Sequence, residues 1–382
     1  MKKAAFFFGS GISYDSQAAG VDEITNSLLS TPWRAHTDSR FYPDPDHRAA
    51  TSTGEAGRAQ EFLRRVRRCI APHLQAREGR IPHYEDLFAA ATQIVQDEMM
   101  EITNPMIADT LAFLRRDTAD LWVEQRAHID DNRFASLADR ACNLVQWAVA
   151  YGLGRARKPV GMKAISDVAK AMDDLDIFTL NHECMIEMQL AGEKVIFVDG
   201  FGERNGDARV FNANWSLEKP AVRLLKLHGS LDEYSFRFAA WDQHARVNGD
   251  VDHAKDRDGK LLNMLQPIPR FLTGTTVKEQ AYGLGVTGET LAAFRRRISE
   301  HRTILCCGYG FGDKGINQRL DQWLRDMPAN RLILMDPREE GKIRAPRFWT
   351  FRWDRYRAAG KIVVLPKWLS QCTVADLAPF IQ

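Results

Sequence analysis

The sequence predicts an α/β fold in which a parallel sheet is interrupted by a helical module. Three observations predict it. Short apolar runs at residues 4–9, 175–180, 222–227, 303–307 and 331–335 read as strands and alternate with helical segments, the pattern that builds parallel sheets. Three of these runs end in small or polar residues: Gly9-Ser10-Gly11, Thr179-Leu180-Asn181 and His228-Gly229-Ser230. Open α/β sheets bind ligands where strands end, so these ends can converge on one pocket. Between the first and second runs, helical periodicity dominates residues 55–155.

Taken in order, residues 4–9 follow Met1-Lys2-Lys3 and read as the first strand. The apolar run is too short for a signal peptide and breaks at Gly9. Gly9 and Gly11 tolerate backbone angles that a β-carbon disfavours and let N–H groups approach a pyrophosphate at a helix N-terminus. Residues 12–30 read as helix-rich, with Ser13 as a cap. Residues 37–58 are rich in Asp, Pro, Ser, Thr and Gly and predict a loop, because Tyr42-Pro43-Asp44-Pro45-Asp46 is incompatible with regular helix. Phe62, Val66, Ile70 and Leu74 then recur every four residues. The arginines among 64–68 read as a solvated face, so direct nucleic-acid binding is not expected.

Further along, 194–198 reads as an additional strand. Residues 232–268 are polar, with 250–259 at their centre, and the stretch reads as a surface loop by composition. Helices are expected at 289–301 and 315–326, and the strand at 331–335 ends in Asp336. The tail 342–361 carries Lys342, Arg344, Arg347, Arg352, Arg355, Arg357 and Lys361, with Trp349, Phe351 and Trp353 in alternation. That alternation predicts a strand with one aromatic face, buried or at a subunit contact. The domain division expected is 1–54 with 156–382 for the sheet, and 55–155 for the helical insertion.

Hydrophobic residues make up 45% of the chain, enough for a substantial core, and a formal net charge of +2 gives no argument for a nucleic-acid or membrane partner. No apolar run reaches the ~20 residues of a membrane span. The six cysteines include no Cys-x-x-Cys pair, so no structural metal is expected, and reduced thiols fit a cytoplasmic setting.

The ordered set Gly-x-Gly-x-Ser, Thr-x-Asn and Leu-His-Gly-Ser resembles the sirtuin family. The stretch Gly308-Tyr309-Gly310-Phe311-Gly312-Asp313-Lys314-Gly315-Ile316-Asn317 is similar to one in bacterial sirtuin-like NAD-hydrolysing domains of antiphage defence systems. Pro269-Arg270-Phe271, Lys278 and Tyr84-Glu85-Asp86-Leu87 also fit that branch. These are sirtuin relatives without a zinc ribbon. The resemblance implies a Rossmann-like fold and NAD as substrate, cleaved to nicotinamide and ADP-ribose. It implies Asn181 and His228 as the catalytic pair, Asn181 orienting water and His228 accepting a proton. The NAD-binding set expected is Gly9, Ser10, Gly11, Ser13, Glu183, Gly229, Ser230, Gly308, Tyr309, Gly310, Phe311 and Asp336. Glu183 stands where the family commonly has aspartate, so its role is supporting. Asp313 reads as a cap for the following helix or as a ligand contact. His182 reads as structural.

The resemblance further implies a homo-oligomer, or control by a HerA-type ATPase or short Argonaute partner. Two other functions share these residues. One is an NAD-dependent protein deacylase or ADP-ribosyltransferase, of which the missing cysteine pairs disfavour the deacylase. The other is a non-catalytic nucleotide-sensing subunit, disfavoured by Asn181 together with His228.

Overall fold

The structure, a computed structural model, describes residues 2–36, 40–44, 54–101, 104–122, 132–215, 221–238, 241–275, 278–338, 343 and 349–381. The strands among them are β1 (Lys3–Phe8), β2 (Trp33–Ala35), β3 (Phe41–Pro43), β4 (Asp174–Thr179), β5 (Phe201–Asn205), β6 (Ala208–Phe211), β7 (Ala221–Lys226), β8 (Glu233–Phe238), β9 (Trp241–Val247), β10 (Asn263–Met264), β11 (Thr303–Cys307), β12 (Arg331–Met335) and β13 (Ile362–Leu365). The α-helices are α1 (Val21–Ser30), α2 (Glu55–Glu78), α3 (Tyr84–Glu98), α4 (Ala108–Asp117), α5 (Ala119–Trp122), α6 (Arg133–Leu153), α7 (Lys163–Ala171), α8 (Met185–Gly192), α9 (Lys278–Ala281), α10 (Gly285–Ile298), α11 (Lys314–Asp326), α12 (Thr350–Ala358) and α13 (Val374–Leu377). They form two compact units. One comprises Met1–Ala18, Gly154–Phe271 and Ala281–Gln382; the other groups Ala19–Leu153 with Leu272–Gln280.

The first unit is built on a six-stranded sheet in the order β13-β12-β11-β1-β4-β7, with every pairing parallel. In chain order this is 3-2-1-4-5-6 read from β7, the doubly wound Rossmann arrangement, and the order reverses between β1 and β11. Helices cover both faces, so the strands are apolar on both sides rather than alternating. Phe6 and Phe8 join Ile165, Val168, Ile186 and Leu190 on one face. Phe7 and Phe178 lie against Phe294 of α10 on the other. Each such ring contributes roughly 1.5–3 kcal/mol by burial.

Charge enters β4 at its amino half. Asp176 accepts hydrogen bonds from His301 Nε2 (2.6 Å) and Arg297 Nε (2.9 Å), and Arg223 pairs with Asp174. Burial pushes the Asp176 carboxyl up, but His301 and Arg297 outweigh it and hold it below its ordinary value.

Several sequence expectations are corrected. Residues 194–198 form no strand; Val198 makes one parallel bridge to Arg223, and the chain then turns into β5. Residues 232–268 are not loop throughout, because β8 and β9 form a hairpin in a five-stranded antiparallel sheet ordered β10-β8-β9-β6-β5. Its polar residues are paired rather than solvated. Arg246 of β9 is buried and bonds Asp199, Asp232 and Glu187, while Phe236, Ala245 and Val247 form a small core. The centre, 250–259, does remain turns and a short 3-10 helix.

The tail alternation is also corrected. Residues 350–358 are helical, so Trp349, Trp353 and Tyr356 share one buried face at spacings of four and three. Trp349 Nε1 donates to the Asn317 carbonyl (3.2 Å) and Tyr356 Oη to Asp321 (2.7 Å), both on α11, whereas Phe351 is 97% exposed. Lys342, Arg344 and Arg347 lie outside the described residues.

The second unit is mainly helical. Phe62, Leu63 and Val66 of α2, Leu87 and Ile94 of α3, and Phe134, Leu137 and Leu144 of α6 are buried. The arginine face of α2 is not purely solvated. Arg64 Nε donates to the Leu29 carbonyl near the end of α1 (2.9 Å), and Arg65 pairs with Asp120 (2.6 Å). Lys278 Nζ bonds Glu85 (2.7 Å), so two residues that carried the family resemblance meet within this unit. Of the stretch 37–58 expected as a loop, Phe41–Pro43 pairs with Trp33–Ala35 and Glu55 opens α2; residues 37–39 and 45–53 lie outside the described residues.

Candidate functional site

Five strand ends, those of β1, β4, β7, β11 and β12, carry the residues singled out by sequence. Two glycines are needed after β1 because backbone packs on backbone. A Cβ on Gly9 would lie 2.6 Å from the Gly308 carbonyl oxygen, and one on Gly11 2.7 Å from Gly308 Cα. Gly9 N–H donates to the Cys307 carbonyl (3.1 Å) and Gly11 N–H to the Gly308 carbonyl (3.0 Å). These two amides, expected to face a pyrophosphate, therefore close the turn onto β11. Ser10 is exposed at its tip. Ser13 caps no helix: it lies inside a 3-10 turn, Ser10–Ser13, and α1 starts after Gly20.

Ser13 has a different partner. Its hydroxyl donates a short hydrogen bond to Glu183 Oε1 and accepts one from Asn181 Nδ2 at 3.1 Å. Asn181 Nδ2 also donates to Glu183 Oε1 at 2.9 Å. The three side chains, all buried, thus form a closed triangle that fixes the Asn181 amide, since the flipped amide would set its oxygen against Glu183. Asn181 Oδ1 is left buried without a partner among the described residues. Such an orphan acceptor costs about 1–3 kcal/mol and calls for an explanation.

His228, 3% exposed, follows β7. Gly229 is in the left-handed region (φ 76), where a Cβ would meet the Arg270 carbonyl at 2.4 Å. Ser230 secures the same turn: its N–H bonds the Arg270 carbonyl (3.1 Å), and its hydroxyl donates to the His182 carbonyl (3.3 Å) and accepts from Arg246 (3.2 Å). The His228 ring lies near-parallel to those of His182 (centroids 6.1 Å apart) and Tyr282 (6.0 Å). His228 Nε2 lies 2.9 Å from Tyr282 Oη and 3.1 Å from Asp313 Oδ2, and Tyr282 Oη donates a short hydrogen bond to Asp313 Oδ2. Asp313 Oδ1 accepts from Ile316 N–H (2.8 Å), the helix cap that is one of the two roles the sequence leaves open. Tyr282 carried no sequence signal. His182 packs on Phe271 (4.8 Å), consistent with a structural residue.

Cations hold the 182–184 segment from behind. Lys226 Nζ donates to the carbonyls of His182 (3.2 Å) and Glu183 (2.7 Å) and pairs with Glu187 (3.1 Å). Burial pushes the Asp232 carboxyl up, but Arg246 and Lys226 overcome this and bring it down to about 2. Burial drives the Cys184 thiol up to about 12, and the other five cysteines are also raised. Raised thiols favour the protonated, less nucleophilic form.

A cavity of about 390 Å³ opens at the reversal point of the sheet, lined by Gly11, Ile12, Asp15, Cys307, Trp368 and Ser370 among others. Asp15, Trp368 and Ser370 were not foreseen from sequence. Gly308, Tyr309, Gly310 and Phe311 follow β11. Tyr309 Oη donates to Asn317 Oδ1 (2.8 Å), and the Phe311 ring packs on Trp349 (5.5 Å), so both rings have structural partners. Asp336, at the end of β12, is engaged by Arg338 (2.5 and 2.9 Å); like Asn181, Glu183 and His228, it is not among the residues that line the cavity. Among the described residues, no group of three or more His, Cys, Asp or Glu is arranged to hold a metal, and no helix is long and apolar enough to cross a membrane.

Residues 176–353 match the SIR2-like domain family. No curated protein matches the chain significantly. The SIR2-like domain contains Asn181, Glu183, His228, Tyr282 and Asp313, and its family implies enzymatic use of NAD in general.

Proposed function

We propose that the chain is an NAD glycohydrolase, cleaving NAD and water to nicotinamide, ADP-ribose and a proton. The observation that carries the reading is Asn181, whose amide is locked through Nδ2 while Oδ1 is buried with no partner among the described residues, at a strand end of a Rossmann sheet. That oxygen suits a water or a ribose hydroxyl, both of which donate hydrogen bonds. The cavity at the sheet's reversal point fits the usual place for a dinucleotide.

The chemistry asks little of an acid. The glycosidic bond breaks with its electron pair passing to the nicotinamide nitrogen, which leaves neutral. The oxocarbenium-like carbon is captured by water, which gives up a proton. Asn181 positions the attacking oxygen, and His228 receives the proton directly or through a ribose hydroxyl.

The test is incubation of purified protein with NAD, alone and with the product of a neighbouring gene, with chromatography of the products. Nicotinamide and ADP-ribose in equal amounts are expected. Intact NAD under every condition, or ADP-ribose transferred to a protein or an acyl group, would overturn the reading.

From the sequence resemblance we extend the proposal to a biological role: a cytoplasmic effector that depletes NAD during phage infection. Control would come from homo-oligomerisation or from a HerA-type ATPase or short Argonaute partner.

A further inference from the structure

We infer that Asp313 and Tyr282 are positioning residues for His228, fixing its ring and placing its proton on Nε2 so that Nδ1 is the nitrogen that accepts a proton. The inference rests on the NAD-cleaving reading and assigns the support that reading leaves open.

The argument is one of donors and acceptors. Tyr282 Oη has one proton, and it is directed to Asp313 Oδ2. The tyrosine oxygen therefore offers only lone pairs to His228 Nε2 at 2.9 Å, and Asp313 Oδ2 offers another at 3.1 Å. An unprotonated Nε2 would set its own lone pair against both. The proton consequently resides on Nε2, and in neutral imidazole the acceptor is then Nδ1. A carboxylate behind the ring also stabilises the imidazolium formed when Nδ1 takes the proton released on water attack.

The carboxylate is itself immobilised, because Asp313 Oδ1 caps α11. Tyr282 is buried, with the Arg319 guanidinium 5.1 Å over its ring and His228 on the other contact. Among the described residues, the charged and titratable groups seen to face His228 include His182, Tyr282 and Asp313, with Arg319 beyond the tyrosine ring.

Asp313→Asn separates this role from simple capping, since asparagine caps helices about as well as aspartate. Two measurements on the full chain decide. For NAD turnover, Asp313→Asn should lower kcat by about 10²–10⁴-fold with KM within a few-fold, the cost of losing a correctly held acid–base group. Tyr282→Phe should lower kcat by roughly 10–100-fold, the worth of a hydrogen bond to a charged group. Nitrogen-15 NMR of the histidines, with the His228 signal assigned by its loss in His228→Gln, should show the Nε2–H form in wild type and a loss of that preference in Asp313→Asn. Wild-type kcat in Asp313→Asn, a faster Tyr282→Phe enzyme, or an Nδ1–H wild-type ring would each overturn the inference. If wild type cleaves no NAD under any condition, the functional reading fails and the NMR result alone judges this one. If Asp313→Asn does not fold, Tyr282→Phe and the wild-type spectrum carry the test.

Discussion

Replacing Asn181 with alanine should abolish activity while hardly touching stability, and the structure gives the magnitude. The substitution removes two hydrogen bonds from Nδ2, at 2.9 and 3.1 Å, each worth about 1 kcal/mol net. It also removes the buried Oδ1, whose unsatisfied state costs about 1–3 kcal/mol. Ser13 and Glu183 keep their mutual hydrogen bond. The terms nearly cancel, leaving a net change within about 1–2 kcal/mol, and at roughly 2–4 °C per kcal/mol the melting temperature should move by only a few degrees. Turnover should fall by about 10²–10³-fold, the typical cost of one positioned polar group. Thermal unfolding and product chromatography on the same preparation measure both. Near-normal turnover would refute the site, and a drop of more than about 10 °C would show that the amide is there for the fold.

The remaining predictions are these. His228→Ala should lose turnover by about 10²–10⁴-fold with a near-native melting temperature, and an active variant would remove His228 from the chemistry. Asp176→Asn leaves Arg297 and His301 facing a neutral amide in a buried network, and should cost about 3–5 kcal/mol, or roughly 6–20 °C. Because the Asp176 carboxyl is held below its ordinary value, its stabilisation is complete above the usual carboxyl range near pH 4 and is lost as pH falls through the lower folded value. The deficit should therefore be full at pH 7 and narrow towards pH 3; an equal deficit at both would refute the assignment. Metal analysis should find no stoichiometric zinc, and one tightly held zinc per chain would count against this and reopen the deacylase reading. Light scattering and turnover over a concentration series, with and without the neighbouring gene product, should change together, and a fully active monomer indifferent to both would end the proposal of control by assembly.

Five of the six parallel strands are legible as mainly apolar runs, despite Asp176 in β4 and Arg223 in β7, and 331–335 has the expected bounds; β13, an edge strand with three half-buried positions, carries no such signal. The antiparallel sheet was not legible. In β8 and β9 the buried positions include Glu233 and Arg246, and a count of polar residues does not distinguish a charge in solvent from one neutralised by Asp232, just before β8, or by Glu187 of α8. Trp349, Phe351 and Trp353 misled for a related reason. Three alternating aromatics match a strand, but Tyr356 extends a helical set that leaves Phe351 outside it. At the site, Asn181, Glu183 and Ser13 belong to separate short motifs; that they form one triangle depends on the adjacency of β1 and β4. Tyr282 has no motif around it, so only the fold reveals its contact with His228.

The two side chains proposed for catalysis are held by the same logic. Each has one polar end tied to a buried carboxylate, and each carboxylate is tied in turn. Asn181 Nδ2 is held by Glu183, which Ser13 secures. His228 Nε2 faces Asp313, which a helix cap secures. Fixing one end of an amide or an imidazole defines the chemistry of the other: an acceptor oxygen on Asn181 and a basic nitrogen on His228. Loss of either support would therefore degrade orientation before it degraded folding. These supports come from four separate places: the turn after β1, the turn after β4, the segment before α10 and the start of α11. That dispersal explains why the chemistry surfaces in the sequence as short, distant motifs.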